Sequence, residues 1–151
     1  MPSSNKLAIV GVGNPLRGDD GIGQWVCDQL EQLKLPGVTV LFYQQLQTEL
    51  IEQWLDFQAI LVVDAAIDTR GFQFEKIETI NTATANSSHH IQLSTMVGLA
   101  EKLFNRPLNL TACKIGAANF ELGAPITKET LENGKEALRE IHTWIQQHQP
   151  I

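Results

Sequence analysis

The apolar run at residues 59–63 (Ala-Ile-Leu-Val-Val), which is followed by Asp64, constrains the fold of this chain more than any other feature. A strand built only from apolar residues has no polar face, so it must be buried on both sides. Strands of this kind are typical of parallel sheets that carry helices on both faces. The acid directly after the run is then expected at the carboxyl edge of the sheet, which makes Asp64 a candidate functional residue.

The patterns on either side of this run alternate between strands and helices. Apolar runs and alternating patterns predict strands at 7–12, 38–43 and 108–115. An edge strand is predicted at 71–79, and an antiparallel direction is open for it. Apolar residues at helical spacing predict helices between Gly23 and Pro36, at 48–57, at about 90–104 and at 127–147, with Thr48 and Thr127 as N-caps. Small and polar residues predict a surface loop at 81–88 and an irregular connection at 116–125.

This alternation predicts the fold class. Parallel strands need crossover connections, which are right-handed and place helices on both faces of the sheet. The fold is therefore predicted to be α/β, a three-layer α/β/α sandwich with a mostly parallel, about five-stranded twisted sheet. A chain of 151 residues has the size of one domain, so a single domain spanning 1–151 is expected.

Charge and cysteine content exclude several classes of protein. A formal net charge of −6 argues against nucleic acid as a partner, because phosphate binding depends on clustered Lys and Arg. Cys27 and Cys113 have no zinc-site spacing, so they are predicted to be packing residues of a reduced, cytoplasmic protein. The apolar run at 7–12 is too short for a signal peptide or a membrane span, and no membrane partner is expected.

The loop at residues 13–20 is the second candidate functional segment. In doubly wound sheets ligands bind beyond the carboxyl ends of the strands, and this rule brings the loop close to Asp64. Its start resembles a dinucleotide fingerprint, but Leu16 stands where the third glycine is expected. Asp19 and Asp20 lie beside a predicted helix N-terminus, where carboxylates repel a pyrophosphate and favour a cation. The loop therefore predicts a cation site.

Each candidate also has a structural interpretation. Asp19 is typical of an N-cap or a first-turn acid that satisfies helix amides. Two adjacent acids do not both need to cap, so a functional role and a capping role are both open for Asp20. His89 and His90 lie between a polar loop and a helix start, where an imidazole can reach a cleft, although a histidine there is more often an ordinary surface residue.

Three segments resemble one known family. Residues 11–23 (Gly-Val-Gly-Asn-Pro-Leu-Arg-Gly-Asp-Asp-Gly-Ile-Gly) closely resemble the N-terminal signature of the hydrogenase-maturation peptidases. Residues 61–65 and 87–93 resemble that family's second acidic segment and its histidine segment, so the resemblance covers essentially the whole chain. The resemblance implies that Asp20, Asp64 and His89 bind a metal. His89 keeps the family's spacing to the aliphatic residues that follow it, and His90 is the fallback.

The resemblance also implies an activity. Members of the family are endopeptidases that recognise nickel in the large-subunit precursor of a nickel–iron hydrogenase and cleave off its C-terminal extension. The nickel would be supplied by the substrate, and the two carboxylates and one imidazole would also suit zinc, manganese or iron. Water would attack the scissile bond, with Asp19 as a candidate base. A cytoplasmic monomer is expected.

Some questions stay open on the sequence. Residues 44–50 resemble the subgroup that processes bidirectional, NAD-linked hydrogenases, but Gln44 stands where that subgroup has histidine. Asp20 and Asp64 could instead share a proton as a metal-free aspartic dyad. The same cleft could belong to a nucleotide- or flavin-binding module without chemistry. An assembly factor that docks without cleaving is a third alternative, against which the complete set of Asp20, Asp64 and His89 argues.

Overall fold

The computed structural model describes residues 6–79 and 88–149, and a five-stranded sheet runs through them in the order β2-β1-β3-β5-β4. The strands are β1 (Leu7–Val12), β2 (Val38–Tyr43), β3 (Ala59–Ala66), β4 (Phe72–Lys76) and β5 (Leu110–Gly116). β1 pairs in parallel with β2 and β3, β3 pairs in parallel with β5, and β4 is an antiparallel edge strand on β5. The predicted mostly parallel, five-stranded sheet is confirmed.

Helices cover both faces of this sheet. They are a 3-10 helix (Gly18–Gly21), α1 (Ile22–Leu33), α2 (Leu50–Trp54), α3 (Ser88–Phe104) and α4 (Lys128–His148). One buried cluster joins α1 and α4 to Leu61 and Val63 of β3, and a second joins α2 and α3 to Ile60 and Val62 of the same strand. Because neighbouring β3 side chains point to opposite faces, this one strand contributes to both cores. The predicted three-layer sandwich is confirmed.

β3 extends further than the sequence predicts. The predicted strand stops before Asp64, whereas the observed strand continues to Ala66 because its ladder with β5 runs on through the pairs Asp64↔Lys114 and Ala66↔Gly116. The strand is therefore longer than predicted, but the prediction that Asp64 lies at its carboxyl end is confirmed. It lies inside the strand, near the carboxyl end, at the point where the fully buried run gives way to partly exposed residues.

The other element bounds differ only at their ends. β1 and β2 have the predicted bounds, and Thr127 caps α4 by accepting from the amide of Thr130, as predicted. Thr48 is wrong as an N-cap, because α2 begins at Leu50 after Glu49 and the Thr48 hydroxyl bonds to the Glu49 side chain. α3 begins at Ser88, earlier than predicted, and the loop predicted at 81–88 lies, up to residue 87, outside the described residues.

Neither cysteine is paired, and both are buried, which confirms their predicted packing role. Cys27 of α1 lies against β1, and its Sγ donates to the carbonyl oxygen of Leu41 at 3.5 Å. Among the helices of the described ranges, none has the length and apolar character needed to cross a membrane.

The close approach of α1 to β1 depends on Gly11. A Cβ at this position would lie 2.6 Å from both the Cys27 Sγ and the Gly23 carbonyl oxygen, well inside van der Waals contact. One of these two neighbours is backbone, so the clash cannot be relieved by a rotamer change alone. The α1 helix and the loop before it are therefore held at a distance from the sheet that only glycine allows.

We predict that Gly11→Ala lowers the free energy of unfolding by about 1–3 kcal/mol, because the helix must move away from the strand. Gly98→Ala is the matched control: a Cβ added to this α3 glycine would have its nearest neighbour, the Thr79 Cγ2, at 3.7 Å. Alanine there should raise the free energy of unfolding by about 0.5–1 kcal/mol through helix propensity. Urea denaturation measures both, and an unchanged Gly11→Ala midpoint would contradict the close approach.

Candidate functional site

Three of the predicted site residues line one cavity. Asp20, Asp64 and His89 come from the loop after β1, the end of β3 and the start of α3, and they share a cavity of about 350 Å³ at the carboxyl ends of the strands. A larger cavity of about 590 Å³ lies at the opposite edge of the sheet, near Gln58 and Asn109, and contains none of the predicted residues. Size does not identify the site here, since it is the smaller cavity that gathers the candidate groups.

The loop between β1 and α1 positions Asp20. Gly13 adopts φ +142°, and a Cβ on it would clash with the Asp20 carbonyl oxygen. The chain then turns through the 3-10 helix Gly18–Gly21, and the Asn14 amide donates to Asp20 Oδ2 at 2.7 Å. Glycine at 13 thus allows the loop to fold back on itself, and the hydrogen bond from the Asn14 amide fixes the direction of the Asp20 carboxylate.

Asp64 and His89 form a hydrogen-bonded pair that joins β3 to α3. The His89 Nδ1 lies 2.5 Å from Asp64 Oδ2, and the two side chains are 33% and 15% exposed. The second oxygen, Asp64 Oδ1, is buried and has no hydrogen-bond partner among the described residues. An unpartnered buried carboxylate oxygen is costly, so this atom is suited to receive a cation or a proton.

The pair retains protons more strongly than isolated groups would. Burial raises the pKa of Asp64, the charge of Asp20 adds to that rise, and the hydrogen bond from His89 opposes it. The hydrogen bond to Asp64 raises the pKa of His89, against the opposing effect of burial. A good ion pair alone would lower the pKa of Asp64, but here the effect of burial on that pKa outweighs the effect of the partner. Metal binding requires deprotonated ligands and would compete with this retained proton.

The chemistry of these side chains suits a divalent metal that brings other ligands with it. Two carboxylates and an imidazole are typical ligands of borderline ions, and Asp64 Oδ1 is a buried donor in need of a partner. Within residues 6–79 and 88–149, however, no three His, Cys, Asp or Glu side chains are arranged closely enough to hold an ion by themselves. Asp20, Asp64 and His89 thus line one cavity without forming a cluster of that kind in the described part of the chain.

Asp19 has a different role from Asp20. It is fully buried, and its carboxylate accepts from the amides of Ala118 and Asn119, each at 3.0 Å, and from the amide and hydroxyl of Thr127 at 2.7 and 3.1 Å. It lies in the first turn of the 3-10 helix, as one predicted alternative had it, but it does not cap that helix, because its partners lie in the connection between β5 and α4. A carboxylate committed to these four bonds and absent from the cavity wall is poorly suited to the base role predicted for it.

Burial raises the pKa of Asp19, but the amide hydrogen bonds from Thr127, Ala118 and Asn119 outweigh it and hold the pKa at about 2. The folded protein therefore strongly prefers the ionised form. The bonds fix the segment that carries Phe120, which lines the cavity, so Asp19 supports the site without entering it.

The two neighbouring histidines separate in the structure. His89 lines the cavity, whereas the His90 Nδ1 lies 3.8 Å from Glu75 Oε1 of β4. This arrangement supports His89 over His90 as the metal-binding candidate.

The sequence analysis missed Lys114. This β5 residue lines the same cavity, and its Nζ lies 3.0 Å from Glu75 Oε1. The signal was present in the strand, where Lys114 follows Leu110 and Ala112 at the two-residue spacing of one buried face. A lysine that interrupts such a face near the carboxyl end of a strand is a candidate site residue by the same argument as Asp64.

Comparison with solved structures first confirms the class of fold, an α/β/α sandwich with a mostly parallel sheet. The hydrogenase maturating endopeptidase HybD from Escherichia coli matches with a TM-score of 0.76 and 18% identity, over 94% of this chain and 93% of that one. The nickel–iron hydrogenase maturation protease HycI from Thermococcus kodakarensis KOD1 matches with a TM-score of 0.73 and 18% identity, over 94% of this chain and 93% of that one. The nickel–iron hydrogenase maturation protease HybD from Thermococcus kodakarensis matches with a TM-score of 0.69 and 20% identity, over 92% of this chain and 98% of that one.

This chain therefore has the fold of the hydrogenase maturation endopeptidases, as its sequence motifs implied. No protein-family model matches the chain, and no curated protein sequence matches it either. Since one fold serves many functions, the activity must be argued from the site.

We predict that Asp19→Asn lowers the free energy of unfolding by about 2 kcal/mol at pH 7. The reason is that the variant has no ionised carboxylate to accept the hydrogen bonds from the backbone amides. The pKa of Asp19 in the folded protein, about 2, lies below the ordinary value of 3.8. The contribution of the ionised carboxylate to stability is therefore complete above pH 4 and disappears as the pH falls towards 2. Urea denaturation at several pH values measures it. Asp28→Asn, at an exposed position of α1, is the control and should change little. A constant difference from pH 7 to 2 would contradict the assignment.

Proposed function

We propose that this chain is an endopeptidase that recognises nickel in the large-subunit precursor of a nickel–iron hydrogenase and cleaves off its C-terminal extension. One observation carries the proposal: Asp20, Asp64 and His89, from three distant segments, line one cavity in a fold shared with hydrogenase maturation endopeptidases. The fold alone would not give the activity, but these side chains at this edge of the sheet are suited to a cation.

In this proposal the nickel belongs to the substrate. Asp20, Asp64 and His89 would add to the ligands with which the precursor already holds its nickel. His89 directs Nδ1 at Asp64, which leaves Nε2 as the metal-binding nitrogen in the neutral tautomer. Asp64 Oδ1, buried and unpartnered, and Asp20 are the proposed oxygen ligands. Zinc or another divalent ion is expected to substitute in binding.

Such a site couples cleavage to metal loading. A precursor without nickel would lack the ion that Asp20, Asp64 and His89 hold, and its extension would not be positioned. A loaded precursor would be fixed with its scissile bond near the metal, which also polarises the carbonyl group. The proposed enzyme thus cleaves only correctly loaded precursor.

The proposed reaction is hydrolysis by water. Both cysteines are buried, and burial raises the pKa of the Cys27 thiol to about 12 and that of Cys113 still further above its ordinary value. Thiols of this kind are not nucleophiles at neutral pH. The buried, free cysteines also suit the reduced cytoplasm, where we propose that the protein works as a monomer.

The alternatives find less support in the geometry. An aspartic dyad needs two carboxyl groups that share a proton, but Asp64 pairs with His89 and Asp20 accepts from the Asn14 amide. A nucleotide module would place a pyrophosphate at the start of α1, where Asp20 would repel it. The particular hydrogenase stays a prediction that rests on residues 44–50.

We predict that Asp64→Ala and His89→Ala each reduce precursor cleavage at least ~100-fold while the protein stays folded, since each removes one proposed ligand at the cavity. Purified protein is incubated with nickel-loaded and with nickel-free precursor, and the products are identified by mass. Wild-type protein should cut only the loaded form. His142→Ala, at an exposed position of α4, is the matched control and should cut normally. Normal processing by both site variants would refute the assignment.

We predict that the His89 ring in the free protein titrates above the ordinary value of 6.5, because Asp64 stabilises the imidazolium. The raised pKa means that the proton stays bound to a higher pH, so metal-dependent cleavage should increase as the pH rises through this range. Asp64→Asn should lower the titration midpoint. NMR of the ring carbon resonances measures it, and a midpoint that does not respond to Asp64→Asn would contradict the pairing.

A further inference from the structure

Lys114 is a cation on the wall of an otherwise acidic cavity. Asp20, Asp64 and Asp68 also line the cavity, and Lys114 is the one Lys or Arg side chain on its wall within the described ranges. The Lys114 side chain is only 19% exposed, and its Cα pairs in register with that of Asp64 on the neighbouring strand. Lys114 is not one of the proposed metal ligands.

The position of Lys114 is unusual for a packing residue. Leu110 and Ala112 precede it on the same face of β5, where they pack in the cluster that includes residues of α3. An apolar residue at the next position would extend that core without the cost of taking an ammonium group out of water. The lysine instead places three N–H donors at the site end of the strand, and among the described residues Glu75 accepts from it at 3.0 Å.

The charges of the site call for such a donor. Asp20 and Asp64 together carry the two negative charges that neutralise a divalent nickel ion. When water attacks a peptide carbonyl, a further negative charge develops on the carbonyl oxygen. Enzymes stabilise that charge with preorganised donors or cations, and in a partly buried site the effect is large.

We propose that Lys114 is a further catalytic residue of the proposed peptidase, whose ammonium donates a hydrogen bond to the carbonyl oxygen of the bond that is cleaved. This inference rests on the function proposed above. As the water oxygen bonds to the carbonyl carbon, the carbonyl π electrons move onto the oxygen, and Lys114 stabilises the charge while it stays protonated. The carbonyl then re-forms, the C–N bond breaks, and the leaving nitrogen takes the proton that the water gave up.

Glu75 is the positioning residue in this arrangement. Its Oε1 lies 3.0 Å from the Lys114 Nζ and 3.8 Å from the His90 Nδ1, so it holds the ammonium between β4, β5 and the start of α3. The competing view is that Glu75 and Lys114 form only a structural ion pair. In that case loss of either partner should have the same effect, because both changes break the same pair.

The test measures cleavage of nickel-loaded precursor by wild-type protein and by Lys114→Met, Lys114→Arg and Glu75→Gln. We expect Lys114→Met to lower kcat at least ~100-fold with KM changed less than ~3-fold, as loss of an oxyanion donor does. Lys114→Arg should keep at least ~10 times the activity of Lys114→Met, and Glu75→Gln should stay within ~10-fold of wild type. Equal losses in Lys114→Met and Glu75→Gln, or a loss carried by KM alone, would overturn the inference.

A chemical rescue keeps the test decisive if Lys114→Met does not fold. Lys114→Cys is treated with 2-bromoethylamine, which rebuilds a lysine-like ammonium on the new thiol, while the buried Cys27 and Cys113 are protected. Treatment should restore at least ~10-fold in kcat, and no recovery despite complete modification would overturn the inference. If wild-type protein leaves the loaded precursor uncut, the proposed function fails and this inference with it. Normal cleavage by wild type and Lys114→Met alike removes this inference alone.

Discussion

Burial of β3 on both faces is the constraint on which the rest of the structure depends. Ile60 and Val62 enter the core with α2 and α3, while Leu61 and Val63 enter the core with α1 and α4, so this strand must be central and must have helices on each side. Its parallel neighbours β1 and β5 then end at the same edge. The first polar side chain that β3 presents beyond the core is Asp64, and the sheet geometry therefore determines where the candidate site forms.

The Asp64–His89 hydrogen bond links that sheet edge to the helix that covers it. The bond uses Oδ2 and leaves Oδ1 buried without a partner among the described residues, so the free protein retains an unsatisfied charge or holds a proton there. The ionised carboxylate favours a cation when one is delivered, whereas the protonated form must first lose its proton. The buried, unpartnered oxygen is thus the feature of this sheet edge that most needs a partner.

The sequence predicted well whatever depends on local patterns. The bounds of β1 and β2 follow from apolar runs bordered by glycine, Gly13 after β1 and Gly37 before β2, and Thr127 was identified as a cap from its own neighbours. Contacts between distant segments were not predictable in this way. The extension of β3 comes from its ladder with β5, and the partners of Asp19 lie 99 to 108 residues further along the chain. The two-residue spacing of β5 shows that Lys114 interrupts an apolar face, but only the pairing of β5 with β3 places it beside Asp64.

The adjacent acids Asp19 and Asp20 show how stability and the proposed activity are combined in one turn. The 3-10 helix directs Asp19 into the protein, where it fixes the connection after β5, and Asp20 towards the cavity. That connection carries Phe120, another part of the cavity wall, so the wall depends on the buried acid. A carboxylate with four protein donors has little capacity left for a metal, whereas Asp20 accepts from the Asn14 amide through Oδ2 and keeps Oδ1 for the proposed ligand role. The same residue type at consecutive positions thus serves two purposes, and burial rather than sequence distinguishes them.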